Sequence, residues 1–270
     1  MKLQHIYLDT NAFRYFGYAF ENVALAKDLR DKILISPLSA FEVFAQMADE
    51  RDGDSVLRQV HAIRNWTNTE HSGLLPWPDD WLYQVWFDEA RPDDGFTTQM
   101  QNAFNMCLRA DSVAEFKGIA TEHKKLMDDY KLGKAHEFKN MIDAARQGKI
   151  RAFDMTDAWF VSIANSIHAD PKSKPVAEIV SALSAHHEFE QAKLKIALTI
   201  ADYNPLSRKN QNDIIDADQL LYLNDPLLCM ITADAGFKSK VTKSPQAARI
   251  IAASPGDLMD ASRAEAVLRA

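Results

Sequence analysis

Two stretches of alternating strand and helix pattern, one at each end and separated by residues 51–205, constrain this chain more than any other feature. Residues 3–8 form an apolar run that closes on Asp9 in His5-Ile6-Tyr7-Leu8-Asp9-Thr10-Asn11. Phe20 to Lys32 has helical spacing (Val23, Leu25, Ala26, Leu29), residues 33–35 are a second apolar run, and Leu38 to Met47 is helical again. The alternation resumes with a helix from Asn212 to Leu223, a strand at 228–232 and a short helix over 235–241. A strand at 248–252 follows, and Ser254-Pro255 opens a terminal helix to Leu268. Alternation of this kind predicts a mainly parallel sheet covered by helices. Strand-to-helix turns in such a sheet emerge at its carboxyl edge, where open α/β folds place their sites.

Four carboxylates occupy those turns or the helices beside them: Asp9, Glu42, Asp216 and Asp234. Acids brought together raise each other's pKa values unless a cation neutralises them, and Mg²⁺ or Mn²⁺ prefers oxygen ligands. Each acid also has a plain structural explanation. Ser39 and Glu42 have the spacing of a capping box. Asp213 can cap its helix and Asp216 can answer the helix dipole. Thr232-Ala233-Asp234 can be an ordinary turn. Asp213 and Asp216 are three apart and share a helix face. Asp218 lies roughly 200° round from Asp216 and is expected to face solvent.

The middle of the chain carries amphipathic helices and almost no strand pattern. Stripes run through Val56, Leu57, Val60, Ile63 and Trp66, through Phe96, Met100, Phe104 and Cys107, and through Val113, Phe116, Ile119, Leu126, Met127 and Tyr130. Further helices are expected over Asp157–Ile167 and Pro175–Ala201. Leu75-Pro76-Trp77-Pro78-Asp79-Asp80-Trp81 reads as a loop entering a helix capped by Asp79 or Asp80. The reading is a helical insertion (51–205) inside an α/β core (1–50 and 206–270).

Composition excludes several classes. The two cysteines, Cys107 and Cys229, are far apart, which argues against a disulfide framework or a cysteine-held zinc. No segment approaches the roughly 18 apolar residues of a membrane span, and a cytoplasmic protein is expected. The net charge of −7 runs against the basic footprint of nucleic-acid binders. Some of those acids are candidate ligands, however, and Lys117 to Arg151 is locally basic. That run can be a solvated helix face or one wall of the acidic pocket. His186-His187 lack metal-ligand spacing and read as helix-face residues. There is no GxGxxG or GxxxxGK loop and no nucleophile elbow. A haloacid-dehalogenase-type phosphatase needs a second Asp at position 11, which is Asn.

The ordered set Asp9-Thr10-Asn11, Ser39-Ala40-Phe41-Glu42, Asp216-Ala217, Thr232-Ala233-Asp234 with Phe237, and Ser254-Pro255 resembles the PIN-domain family. The resemblance covers residues 1–50 and 206–270. It implies a Rossmann-type three-layer α/β fold, here with a large all-helical insertion, and a metal-dependent nuclease, most simply an endoribonuclease. On that basis Asp9, Glu42, Asp216 and Asp234 are the expected catalytic, Mg²⁺- or Mn²⁺-binding residues. Asn11, Asp213 and Thr232 would orient ligands or water from behind them. Arg208 and Lys209 would contact phosphate. RNA is the implied partner, with a protein inhibitor or a second copy of the chain as further ones. The alternatives are a catalytically silent PIN-like interaction module and a structure-specific DNA nuclease.

Overall fold

The computed structural model describes residues 5–67, 73–87, 95–149, 173–207 and 210–269, excluding the side chains of 212–214. Four short strands, β1 (His5–Leu8), β2 (Ile33–Leu34), β3 (Leu228–Thr232) and β4 (Ile250–Ala252), form one sheet in the order β2-β1-β3-β4. Every pairing is parallel, with Ile6 beside Ile33, Leu8 beside Ile231 and Thr232 beside Ala252. All five residues of β3 are buried, as a central strand covered on both faces requires. The chain winds from β1 out to β2, then returns to the other side of β1 with β3 and β4. The winding direction therefore reverses between β1 and β3, and the crevice outside their carboxyl ends is the topological switch point of the sheet.

Thirteen α-helices occur among the described residues. α1 (Thr10–Ala19) starts directly at Asp9, and only α2 (Lys27–Arg30) is helical within the stretch expected to be one helix from Phe20 to Lys32. The face that decides this is Phe13, Phe16 and Phe20, each at most 1% exposed, whereas Val23 is 48% exposed. The Asp9 carboxylate accepts the Ala12 N–H, so the helix nucleates at the strand end without a loop. α3 (Pro37–Asp49) has Ser36 at its cap and Pro37 as its first residue. Ser39 consequently sits inside the helix and donates to the Leu8 carbonyl at 2.9 Å, so no capping box with Glu42 forms.

α4 (Gly53–Trp66), α5 (Pro78–Phe87), α6 (Phe96–Arg109) and α7 (Val113–Arg146) follow. Pro78 opens α5, which places Asp79 and Asp80 in its first turn instead of at its cap. The stripes of α4, α6 and α7 are buried in the same apolar cluster as β1, α1 and α3. Trp66 meets Phe13 edge-on at 4.7 Å, and Phe44 of α3 packs on Phe104 and Phe116 at 5.7 Å each. α8 (Val176–Ala182), α9 (Ser184–Thr199) and α10 (Asn212–Gln219) lead back to β3. The helix expected over Asp157–Ile167 lies outside the described residues. After β3 come α11 (Ala235–Ser239) and β4. The expected single terminal helix is two, α12 (Pro255–Leu258) capped by Ser254 and α13 (Ala261–Arg269). No helix among the described residues is long and apolar enough to cross a membrane.

Candidate functional site

The switch point carries Asp9 and Asp234. Asp9 follows the last residue of β1, and its own N–H donates to the Ile231 carbonyl at 3.0 Å, which fixes it level with the end of β3. The carboxylate is 6% exposed. One oxygen accepts the Ala12 N–H at 2.6 Å, and the other accepts the hydroxyl of Thr232, a fully buried residue. The Thr232 oxygen in turn accepts the Asp234 N–H at 3.0 Å, and Asp234 caps α11 by accepting the Gly236 N–H at 2.7 Å. One threonine hydroxyl thus links both acids.

Burial pushes the Asp9 pKa up to about 6, and the Asp234 charge adds to the rise. Hydrogen bonds from Thr232 and from the Ala12 and Ala233 backbones oppose it. Among the described residues neither Asp9 nor Asp234 has an ion-pair partner. An all-oxygen pair of this kind, charged and uncompensated, suits a hard divalent cation.

Glu42 is held differently. It projects from α3 at 7% exposure. Thr10, the residue after Asp9, donates to Glu42 Oε2 at 2.8 Å, and the Lys131 ammonium of α7 donates to Oε1 at 2.8 Å. Asp9 and Glu42 are therefore neighbours through consecutive residues of α1, but Glu42 already has a cation. Asn11, expected to orient ligands, is exposed; the contact to Glu42 comes from Thr10.

Asp216 is half-buried on α10. Asp218, expected to face solvent, is 1% exposed. It accepts from the Tyr130 hydroxyl at 2.7 Å, pairs with His186 Nε2 at 3.2 Å and lies 3.5 Å from the Lys134 ammonium. α7 and α9 pack over the face of α10 that carries Asp218, so that face is interior. Burial would raise the Asp218 pKa, yet Lys134, His186 and Tyr130 outweigh it and hold the carboxyl below its usual value. Burial alone would depress His186, but Glu190 and Asp218 hold it above its usual value. His186 is thus part of a buried ionic cluster instead of a helix-face residue.

Beneath the acids, Gln219 donates to Ser39 Oγ at 2.9 Å and accepts from Ser36 Oγ at 2.8 Å, and Tyr7 donates to the Gln219 carbonyl at 2.7 Å. With Ser39 on the Leu8 carbonyl, this buried network locks α3 and α10 to β1. The sequence carried no signal for Gln219. Lys131 and Lys134 lay inside the basic run, which is mostly spent on internal partners. Lys124 pairs with Asp49 at 2.5 Å, Lys139 with Asp143, and Arg146 with the carbonyls of Ala197 and Ile200. Arg208, Lys209 and the side chain of Asp213 lie outside the described residues.

The structure links Asp9 to Asp234 through Thr232, ties Glu42 to Thr10, the residue after Asp9, and sets Asp218 into a separate ionic cluster on the same helix as Asp216. As the side chains stand, no three His, Cys, Asp or Glu residues among those described converge closely enough to hold an ion between them. No family model, no curated protein and no solved structure matches the chain.

Proposed function

We propose that the chain is a PIN-like, divalent-metal-dependent phosphodiesterase, most simply an endoribonuclease. The observation that carries this reading is the buried Asp9 at the switch point, linked through the Thr232 hydroxyl to the exposed Asp234 and without an ion-pair partner among the described residues. A protein that keeps an uncompensated carboxylate in its interior sacrifices stability for it, and such groups cluster at functional sites. The parallel order β2-β1-β3-β4 supports the same reading, because it sets residues from the two ends of the sequence side by side at the sheet's carboxyl edge.

In this reading Asp9 and Asp234 hold a Mg²⁺ or Mn²⁺ ion, with Glu42 and Asp216 as further ligands, directly or through water. A cation there would lower the pKa of a bound water and offset charge on a phosphate. Thr232 keeps both Asp9 and Asp234 oriented through its shared hydroxyl. Thr10 fixes one oxygen of Glu42, so the carboxylate presents the same edge to the crevice. The buried Gln219 network prevents α3 and α10 from drifting apart.

The test is cleavage of an end-labelled single-stranded RNA with Mn²⁺, with EDTA, and by Asp9→Asn. The expected result is Mn²⁺-dependent cleavage that falls at least ~100-fold in Asp9→Asn. Equal cleavage by the wild type and Asp9→Asn would remove the reading. The rival is a silent module of the same fold. One observation favours it: Glu42 and Asp218 are already neutralised by Lys131 and Lys134.

A further inference from the structure

α7 runs 34 residues past both α3 and α10 and delivers two lysines, one turn apart, to two carboxylates. The two pairs are not equivalent. Lys134 serves Asp218, which has two further partners and lies in the interior. Lys131 serves Glu42, whose other oxygen is held by Thr10 beside Asp9 at the crevice. In the Glu42 pair the lysine side chain is 14% exposed and the glutamate 9%, so little water shares the charge. An ammonium at 2.8 Å from a carboxylate oxygen occupies the coordination space that an incoming cation would need there.

We propose that Lys131 is a tethered counter-ion for Glu42 in the metal-free protein, and that a divalent cation entering beside Asp9 and Asp234 must displace it. The inference rests on the metal-site reading above and adds a specific competitor to it. Lysine suits this role better than arginine. Its flexible four-carbon stem lets the ammonium swing away, and its point charge makes no bidentate clamp on the carboxylate. Displaced, it would stay within reach of the crevice as a positive charge, where the phosphate of a nucleic acid would meet it. The direction of the competition is fixed by electrostatics. Removing Lys131 raises the negative potential at Glu42.

The experiment is calorimetric titration of Mn²⁺ into wild type, Lys131→Met, Lys134→Met and Asp9→Asn at one ionic strength. Lys131→Met should bind Mn²⁺ at least tenfold more tightly than wild type, while Lys134→Met binds like wild type. Asp9→Asn should bind at least tenfold more weakly. Lysine acylation mapped by mass spectrometry gives an independent reading on the wild-type protein, should Lys131→Met fold poorly. Lys131 should be protected without metal and several-fold more reactive with Mg²⁺, with Lys134 unchanged. If wild type binds Mn²⁺ through Asp9 but Lys131→Met binds no more tightly, or Lys131 stays protected, the counter-ion proposal falls alone. If neither wild type nor Lys131→Met binds Mn²⁺, both it and the metal-site reading fall.

Discussion

Asp9 and Asp218 are both aspartates and both nearly inaccessible, one capping α1 and the other within α10, yet they are in opposite electrostatic states. Asp218 is surrounded by a hydroxyl, an imidazole and an ammonium, and its pKa is held down. Asp9 has only neutral donors and an acidic neighbour, and its pKa is pushed up to about 6. The difference lies in what α7 reaches. Its lysines pair with Glu42 and Asp218 and not with Asp9. Burial with partners makes a charge a structural element, whereas burial without them leaves it with a raised pKa.

The comparison breaks most visibly if Asp218 is removed. Asp218→Ala removes the buried acid that Lys134 and His186, both half-buried, share, and loss of one partner from a buried pair typically costs about 3–5 kcal/mol. Chemical denaturation should show a loss of that order, while Asp234→Asn, which keeps the cap on α11, stays within about 1 kcal/mol of wild type. Comparable losses in the two variants would erase the distinction.

Asp9 should behave in the opposite sense. An acid whose folded pKa is raised is neutral in both states below its unfolded value. It accumulates a penalty as pH rises from about 4 to 6 and carries all of it at pH 7. With chelator present, Asp9→Asn should therefore be more stable than wild type at pH 7, by at most about 3 kcal/mol for a rise of roughly two units. The advantage should vanish below pH ~4. A destabilised Asp9→Asn at pH 7 contradicts the uncompensated state.

The smallest effect belongs to His186. Its folded pKa is raised, so the stability it supplies is fully present below its unfolded value near 6.5 and is lost as pH rises through the folded value. His186→Gln should cost about 1 kcal/mol at pH 6, with the gap to wild type closing at alkaline pH. A gap that does not change with pH would mean the imidazole is neutral throughout.

The strands of the sheet were legible because β1 and β3 are continuous apolar runs ending in a carboxylate, a pattern that local periodicity exposes. The first helix was misplaced because Val23, Leu25 and Ala26 mimic a stripe, while the real stripe of Phe13, Phe16 and Phe20 belongs to a helix that starts straight after Asp9, with no loop to announce it. Glu42 could be picked out, but its neighbour Lys131 could not, since 89 residues separate them and only the packing of α7 on α3 brings them together. Asp218 shows the same limit more sharply. Helix phase says which way a side chain points and nothing about whether another element lies in that direction.

The placement of β1 has a consequence for how the protein is made. Its partner on one side, β2, follows within the next 30 residues, but Asp9 meets Thr232 only across 223 positions of sequence. At typical synthesis rates of 5–20 residues per second, roughly 10–45 seconds separate the emergence of those two strands from the ribosome. For that interval the edge of β1 that will receive β3 is an open template of unpaired N–H and C=O groups. The long helices that pack on α1 and α3 are synthesised within it. They are local structures that form fast and share the core of the first strand's flanking helices. They can therefore shield the nascent half-sheet and leave its open edge waiting in register. The residues between the two halves are thus made, and their apolar faces are available to α1 and α3, before the second half of the sheet exists.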